Sequence, residues 1–370
     1  MTPKAAIRAE ALRLQAAFVA AGALPVEADI LLPAETLLDL YGEDIRGRAY
    51  VTQDPLRGEM MLRPDFTVPV VQAHMKGGAD PARYCYLGEV FRKQDRASGE
   101  QSGRASEYLQ VGFEVFDRSA PEAADAEVYA LFANVLADLD LRPATGDIGI
   151  LMAAVRGLDT TDGRKAALLR HIWRPKRFRA LLDRFAARAP VPAARAHLLE
   201  RLAKGSAEAL IAEAGAFIGM RSADDIATRA QALLADAAVK PIAAPEAALL
   251  YDLLGLEAPA KSALVHLRGI TPMLPAIAPA VDRFARRLDA LAARGIDVAT
   301  LPFEASHGRT ALEYYDGFVF SFHAADPALP PVASGGRYDA LTAVLGQGAS
   351  IPAVGGVIRP GLLVRLRGAS

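Results

Sequence analysis

Gln110, Gly112 and Glu114 stand at alternate positions of one stretch, and together they have the chemistry to hold a small polar ligand. In an extended strand from Glu107 to Asp117, successive side chains point to opposite faces. Leu109, Val111, Phe113 and Val115 then share one face, and Tyr108, Gln110, Gly112, Glu114 and Phe116 share the other. A strand that buries one apolar face usually exposes mixed charge on its back. This one presents an amide, a residue without side-chain bulk and a carboxylate, flanked by aromatic rings. Two uses fit that face. One is ordinary solvated sheet surface. The other is a small pocket in which Glu114 holds a cationic amine, Gln110 supplies both a donor and an acceptor, and Gly112 leaves room for the ligand.

The elements that must position these residues are strands. Tyr84, Tyr86, Gly88, Val90 and Arg92 alternate with Cys85, Leu87, Glu89 and Phe91, which predicts a second strand. Between the two, Gln94 to Ser106 is polar and rich in Gly, Ser and Arg, so the pair reads as an antiparallel hairpin with a long loop. The whole stretch from Leu31 to Asp117 reads as strands and turns, and strand character returns from Tyr314 to His323. Helical spacing runs from Glu122 to Leu139 and from Gly163 to Leu254, the latter divided by prolines 175, 190, 192, 241 and 245. Phe284, Leu288 and Leu291 mark a further amphipathic helix. At the N-terminus Ile7, Ala11, Leu14 and Phe18 form one stripe, which Gly22 and Pro25 would end. This order predicts an α+β fold, with a discontinuous core over 1–162 and 263–370 and a helical insertion over 163–262. A doubly wound sheet is excluded, because strands and helices do not alternate and no Gly-x-Gly-x-x-Gly follows a strand.

Composition narrows the function classes. The chain has 370 residues, 42 Lys and Arg against 43 Asp and Glu, 52% apolar residues and one cysteine. Such a balance belongs to a folded protein and leaves no global nucleic-acid footprint. Cys85 alone can form neither an internal disulfide nor a thiolate metal site, and a reducing, cytoplasmic setting is the default expectation. The uncharged run Ala340 to Ile358 is long enough for a membrane span, but its glycines and Pro352 break any helix there. The six histidines, at 74, 171, 197, 266, 307 and 323, show no ligand spacing, so no metal is expected. Arg164 to Arg179 holds seven basic residues and no acid. In a neutral chain this reads as a solvated or partner-docking face before a nucleic-acid surface.

Longer segments carry a resemblance. Gly88-Glu-Val-Phe-Arg92, the loop residues Gly103-Arg104, and Tyr108-Leu-Gln110-Val-Gly112-Phe-Glu114 together resemble the second signature motif of histidyl-tRNA synthetase, a class II aminoacyl-tRNA synthetase. Leu31-Leu-Pro33-Ala-Glu35 is similar to the first class II motif, which in that family shapes the dimer interface. Leu62-Arg63-Pro64-Asp65-Phe66-Thr67 looks like the family's Leu-Arg-Pro-Glu-Gly-Thr strand, with Asp for Glu and Phe for Gly. Ser334-Gly335-Gly336-Arg337-Tyr338-Asp339 is similar to its second histidine-binding motif, and Pro352-Ala-Val-Gly355 opens something like the third class II motif. The resemblance implies a class II synthetase-like antiparallel sheet flanked by helices. It also implies a histidine pocket made of Asp65, Thr67, Gln110, Glu114, Tyr314, Tyr315 and Tyr338, with Arg92 a remnant of the phosphate-facing groups.

The departures point away from synthesis of an adenylate. Where that family has Arg-Gly-Leu-Asp-Tyr-Tyr, this chain has Thr310-Ala-Leu-Glu-Tyr314-Tyr315, and Arg309 lies one residue off register, on the opposite face of a strand. An ungapped reading of the third motif brings Leu362 to the place of its ATP-binding arginine, with Arg359 and Arg365 displaced by three residues each way. Ser106 stands where the second motif has a further arginine. Each lost donor to developing charge costs roughly 10² to 10³ in rate. Eight residues follow Leu362, where a tRNA-charging relative continues into an anticodon-binding domain, so no tRNA partner is expected. A histidine receptor without adenylation machinery is similar to a family of synthetase paralogues, the regulatory subunits of ATP phosphoribosyltransferase. That resemblance implies a non-catalytic chain that needs no cofactor, binds histidine and self-associates as a dimer around Pro33 and Glu35. It implies assembly with the short-form catalytic subunit at the first step of histidine biosynthesis, with no membrane involved. An adenylate-forming ligase with compensating arginines is the alternative left open.

Overall fold

Apolar periodicity decides the first helix: α1 (Lys4–Ala20) buries Ala11, Leu14 and Phe18, three of the four stripe residues. Gly22 follows it in left-handed backbone at φ +91°, where a side chain would be strained. The computed structural model describes residues 4–35, 49–93, 106–215, 220–308 and 314–368. It divides into two units, 1–153 with 252–370, and 154–251.

The first part of the larger unit continues with β1 (Leu24–Pro25), β2 (Leu31–Pro33), β3 (Val51–Asp54), β4 (Gly58–Leu62), α2 (Thr67–Met75), β5 (Ala82–Phe91), β6 (Glu107–Phe116), α3 (Pro121–Val135) and β7 (Arg142–Asp147). The chain then runs through α4 (Ile148–Arg156) into α5 (Asp162–Arg170), α6 (Pro175–Phe185), α7 (Ala193–Lys204), α8 (Ala207–Glu213), α9 (Ala223–Ala238) and α10 (Ala244–Gly255). Back in the larger unit come β8 (Glu257–Pro259), α11 (Ala260–Ile270), α12 (Ala278–Ala293), β9 (Pro302–Glu304) and β10 (Phe318–His323). The last elements are β11 (Ala333–Arg337), α13 (Asp339–Leu345), β12 (Ala353–Ile358) and α14 (Pro360–Arg367).

Nine strands of the larger unit form one sheet in the order β1-β5-β6-β12-β11-β10-β7-β9-β8, and β2-β4-β3 form a small second sheet. β5 and β6 pair antiparallel along their whole length, with Tyr86 opposite Gly112 and Gly88 opposite Gln110. On its other edge β6 pairs with β12, with Glu114 opposite Gly355. β6 is therefore interior to the sheet, and both of its faces are covered. On the apolar side Phe18 of α1 meets Phe113 at 5.4 Å and stacks on Phe132 of α3 at 5.5 Å. On the other side Gln110 and Glu114 are each 1% exposed, which removes the solvated-surface reading of that face.

Two elements differ from the sequence expectation. The stretch read as strands and turns contains α2, which buries Val68, Val70, Val71 and His74. Its β-branched residues favour a strand locally, but burial on one helical side overrides that preference, and Pro69 falls in the first turn, where a missing N–H costs nothing. Strand character in the last third begins at Phe318, not Tyr314.

In the smaller unit, Arg164 of the basic segment is not a surface charge. It is buried and donates to the Asp236 carboxylate at 2.6 Å and to the Lys240 carbonyl at 2.9 Å. Arg170, Lys176, Arg177 and Arg179 are exposed. Among the described residues no helix is long and apolar enough to cross a membrane.

Candidate functional site

Glu114 sits at the middle of the sheet because its neighbours give up volume. A Cβ on Gly355 would lie 1.5 Å from Glu114 Oε2, and a Cβ on Gly112 would lie 2.1 Å from Tyr86 Cζ. The carboxylate is met by hydroxyls from three elements. Oε1 accepts from Tyr86 of β5 at 2.9 Å and from Thr67, the first residue of α2, at 3.1 Å. Oε2 accepts from Tyr338, just beyond β11, at 2.6 Å. Tyr314 extends the cluster by donating to Thr67 Oγ1 at 3.2 Å, and its ring lies edge-on to Tyr315 at 4.9 Å.

Burial pushes the Glu114 carboxyl up to about 7, the three hydroxyls pull it down, and nearby Asp65 adds a smaller upward push. Burial also raises the phenols of Tyr86 and Tyr338, and the adjacent Glu114 charge raises them further. Gln110 supplies an unmet demand of its own: its Oε1 is buried and has no hydrogen-bond partner among the described residues. The vacant amide acceptor calls for a donor, and the buried carboxylate calls for a positive charge.

All seven residues singled out in the sequence, Asp65, Thr67, Gln110, Glu114, Tyr314, Tyr315 and Tyr338, line one cavity together with Arg92. The cavity is small, about 10 Å³, which is room for about one water. It adjoins a larger cavity of about 530 Å³ through the shared residues Arg92, Gln110, Tyr315 and Val357. Arg92 is anchored at that junction by donating Nε to the Pro64 carbonyl at 2.8 Å.

Tyr86 is the contact that sequence reasoning missed. Its signal was a bulky ring opposite a glycine, but reading it requires the β5–β6 register. Phe66, which replaces the glycine of the resembling motif, stacks on Tyr86 at 4.4 Å, and Arg63 lies over Phe66 at 4.0 Å. β12 ends at Ile358 and α14 begins at Pro360, so the strand-to-helix turn falls on Arg359 and Leu362 lies inside the helix. Arg359 lines the larger cavity and donates to the Pro331 carbonyl. Arg309, Thr310, Gly103 and Arg104 lie outside the described residues.

Close packing at Gly355 gives a test. Gly355→Ala places a Cβ against Glu114 and 2.8 Å from the Phe113 carbonyl, so β12 and β6 must part or Glu114 must leave its donors. Overpacking of this kind costs about 1–3 kcal/mol, and a thermal melt should register it. An unchanged melting temperature would contradict this packing.

The sequence model of the family described as Histidyl-tRNA synthetase matches residues 1–258 and 227–360. An ATP phosphoribosyltransferase regulatory subunit from Allorhizobium ampelinum is 32% identical over 352 residues, which cover 91% of this chain and 92% of that protein. The one from Sinorhizobium medicae is 34% identical over 364 residues, covering 92% and 93%. Among solved structures, an ATP phosphoribosyltransferase regulatory subunit/histidyl-tRNA synthetase from Bacillus halodurans matches with TM-score 0.67 at 19% identity, covering 98% of this chain and 79% of that one. Histidyl-tRNA synthetase from Nostoc matches with TM-score 0.64 at 16% identity, covering 100% and 73%. At these identities the solved structures establish the class II synthetase fold.

Proposed function

We propose, from the premise that this chain belongs to the family of ATP phosphoribosyltransferase regulatory subunits, that it binds free histidine at Glu114 and Gln110 and acts on a short-form catalytic subunit by contact. The chain is a regulatory subunit with no reaction of its own. The observation that carries the histidine reading is the buried pair of acceptors, one carboxylate and one vacant amide oxygen. Leaving the Gln110 oxygen without a donor costs about 1–3 kcal/mol, while Glu114, already met by three hydroxyls, has its charge disfavoured by burial, which a cationic ligand would offset. Histidine brings an ammonium, an imidazole N–H and a carboxylate. Its donors suit Glu114 and Gln110, Asp65 and the tyrosine hydroxyls complete the lining, and its carboxylate suits Arg92 at the junction. The space at Glu114 holds about one water, so the ligand extends into the larger cavity.

A chain of this kind acts only through assembly. It forms a homodimer around Pro33 and Glu35, joins the catalytic subunit in equal copies as closed symmetry favours, and takes up neither tRNA nor membrane. Histidine then alters the partner only to the extent that it prefers one arrangement of the complex.

The experiment mixes the chain with a short ATP phosphoribosyltransferase catalytic subunit, with and without histidine, and follows activity and mass by light scattering. The expected outcome is activity that appears together with a larger particle, while pyrophosphate exchange with histidine and ATP stays at the no-protein blank. A chain that ignores the catalytic subunit at micromolar concentration would sink the reading. Exchange above the blank would favour the adenylate-forming alternative, whose one structural support is that Arg92 and Arg359 both line the larger cavity.

A further inference from the structure

The larger cavity holds a second cluster that the histidine reading does not use. Ser321 of β10 is buried, with Oγ 2.9 Å from His307 Nε2 and 2.7 Å from His323 Nε2. β7 pairs with β10 so that Arg142 stands opposite His323. These four residues line the cavity, as does Glu304, whose carboxylate lies 3.7 Å from His307 Nδ1.

Proton counting says what this wall recognises. A serine hydroxyl has one proton and two lone pairs. With both rings neutral, one ring must donate to Ser321 and the other accept from it. With both rings protonated, Ser321 accepts from each and its own O–H is released toward the cavity. The wall then presents donors from Ser321, His323 and Arg142, while Glu304 takes the remaining N–H of His307. A surface of that kind fits an oxoanion and rejects a cation.

We propose that this end of the cavity is a site for a tetrahedral oxoanion, the phosphoryl group of a phosphorylated small molecule, held by Arg142, Ser321 and His323. The site adjoins the Glu114 pocket and does not rest on the histidine reading. Binding is linked to protons. Burial holds His323 below the usual histidine range, His307, Arg142 and Arg359 push it the same way, and Glu304 opposes them. A bound dianion reverses those repulsions, so affinity rises as pH falls.

The test titrates sulfate, a dianion across the range, into the full chain at constant ionic strength. Calorimetry and the histidine ring resonances report binding. Saturable binding is expected, several-fold tighter at pH 6 than at pH 8. Arg142→Ala should weaken it about tenfold, as loss of one charge-assisted contact does. Glu304→Gln removes a carboxylate that repels the dianion but also supports the protonated rings, so it should strengthen binding at pH 8, where the rings are neutral and only the repulsion counts, a gain that misfolding cannot produce. Equal sulfate affinity in Arg142→Ala and the unmodified chain, or no gain in Glu304→Gln at pH 8, would overturn the site. Saturating histidine should leave sulfate binding in place. If histidine abolishes it, the cavity takes the amino acid's own carboxylate, and the oxoanion site falls while the histidine reading stands.

Discussion

Replacing Arg287 with alanine is expected to lower the stability of the larger unit by about 3–5 kcal/mol, the usual effect of removing one partner from a buried ion pair. Arg287 of α12 is 2% exposed, and it donates to Asp125 of α3 and to Asp147 of β7, both at 2.7 Å. Asp125 also accepts from Arg337 of β11, at 3.1 Å from Nε and 2.7 Å from Nη2. Without Arg287, Asp147 keeps its charge in a buried place and Asp125 keeps only Arg337. At about 2 °C per kcal/mol for a unit of this size, the melting temperature should fall by about 6–10 °C. A fall below about 2 °C would mean that water reaches these carboxylates. The pocket should feel the change, because Tyr338, the donor to Glu114, follows Arg337 in the chain.

This network also shows how far a sequence carries an argument. The polar face of β6 was legible because a strand has period two, but the room at Gly112, expected for the ligand, is taken by the Tyr86 ring opposite it. Arg337 stood out within a motif, but its partner Asp125 lies 212 residues away, and no local pattern announces such a pairing. His307 and His323 looked unrelated along the chain, yet a turn before β10 brings both rings to Ser321. The helix α2 was hidden because its β-branched residues imitate a strand until tertiary burial is known. Arg359 was legible as an arginine near the third motif, but only the end of β12 at Ile358 and the start of α14 at Pro360 show that it sits at the strand-to-helix turn. Local periodicity yields the elements and one face of the site, whereas register and long-range pairing decide which side chains meet.

Glu114→Gln should separate stability from binding, moving them in opposite directions. Folding raises the Glu114 carboxyl from its ordinary value near 4.5 to about 7. The protonated form is therefore the one that the fold prefers, and that contribution to stability is complete below about pH 4.5 and lost as pH rises through 7. The ionised side chain at pH 8 carries a penalty that the neutral amide does not. The variant should accordingly melt at or above the temperature of the unmodified chain at pH 8 and show no such advantage at pH 5. Binding should go the other way. An ion-paired, hydrogen-bonded ammonium loses roughly 1.5–3 kcal/mol when its carboxylate is removed, about 10- to 150-fold in histidine affinity. In the unmodified chain affinity should also weaken below pH 7, since only about a tenth of Glu114 is ionised one unit below its midpoint. The variant should lack that share of the pH dependence, and titration of histidine itself is common to both. If the complex responds to histidine, the coupling, typically 1–3 kcal/mol, is reciprocal, so ligands of the catalytic subunit should shift histidine affinity in the unmodified chain by the same factor. Titration calorimetry from pH 6 to 8 reads the affinities, alone and with the catalytic subunit, and thermal melts at pH 5 and pH 8 read the stabilities. Equal histidine affinity in the two would place the binding site away from Glu114, whatever the melting temperatures show.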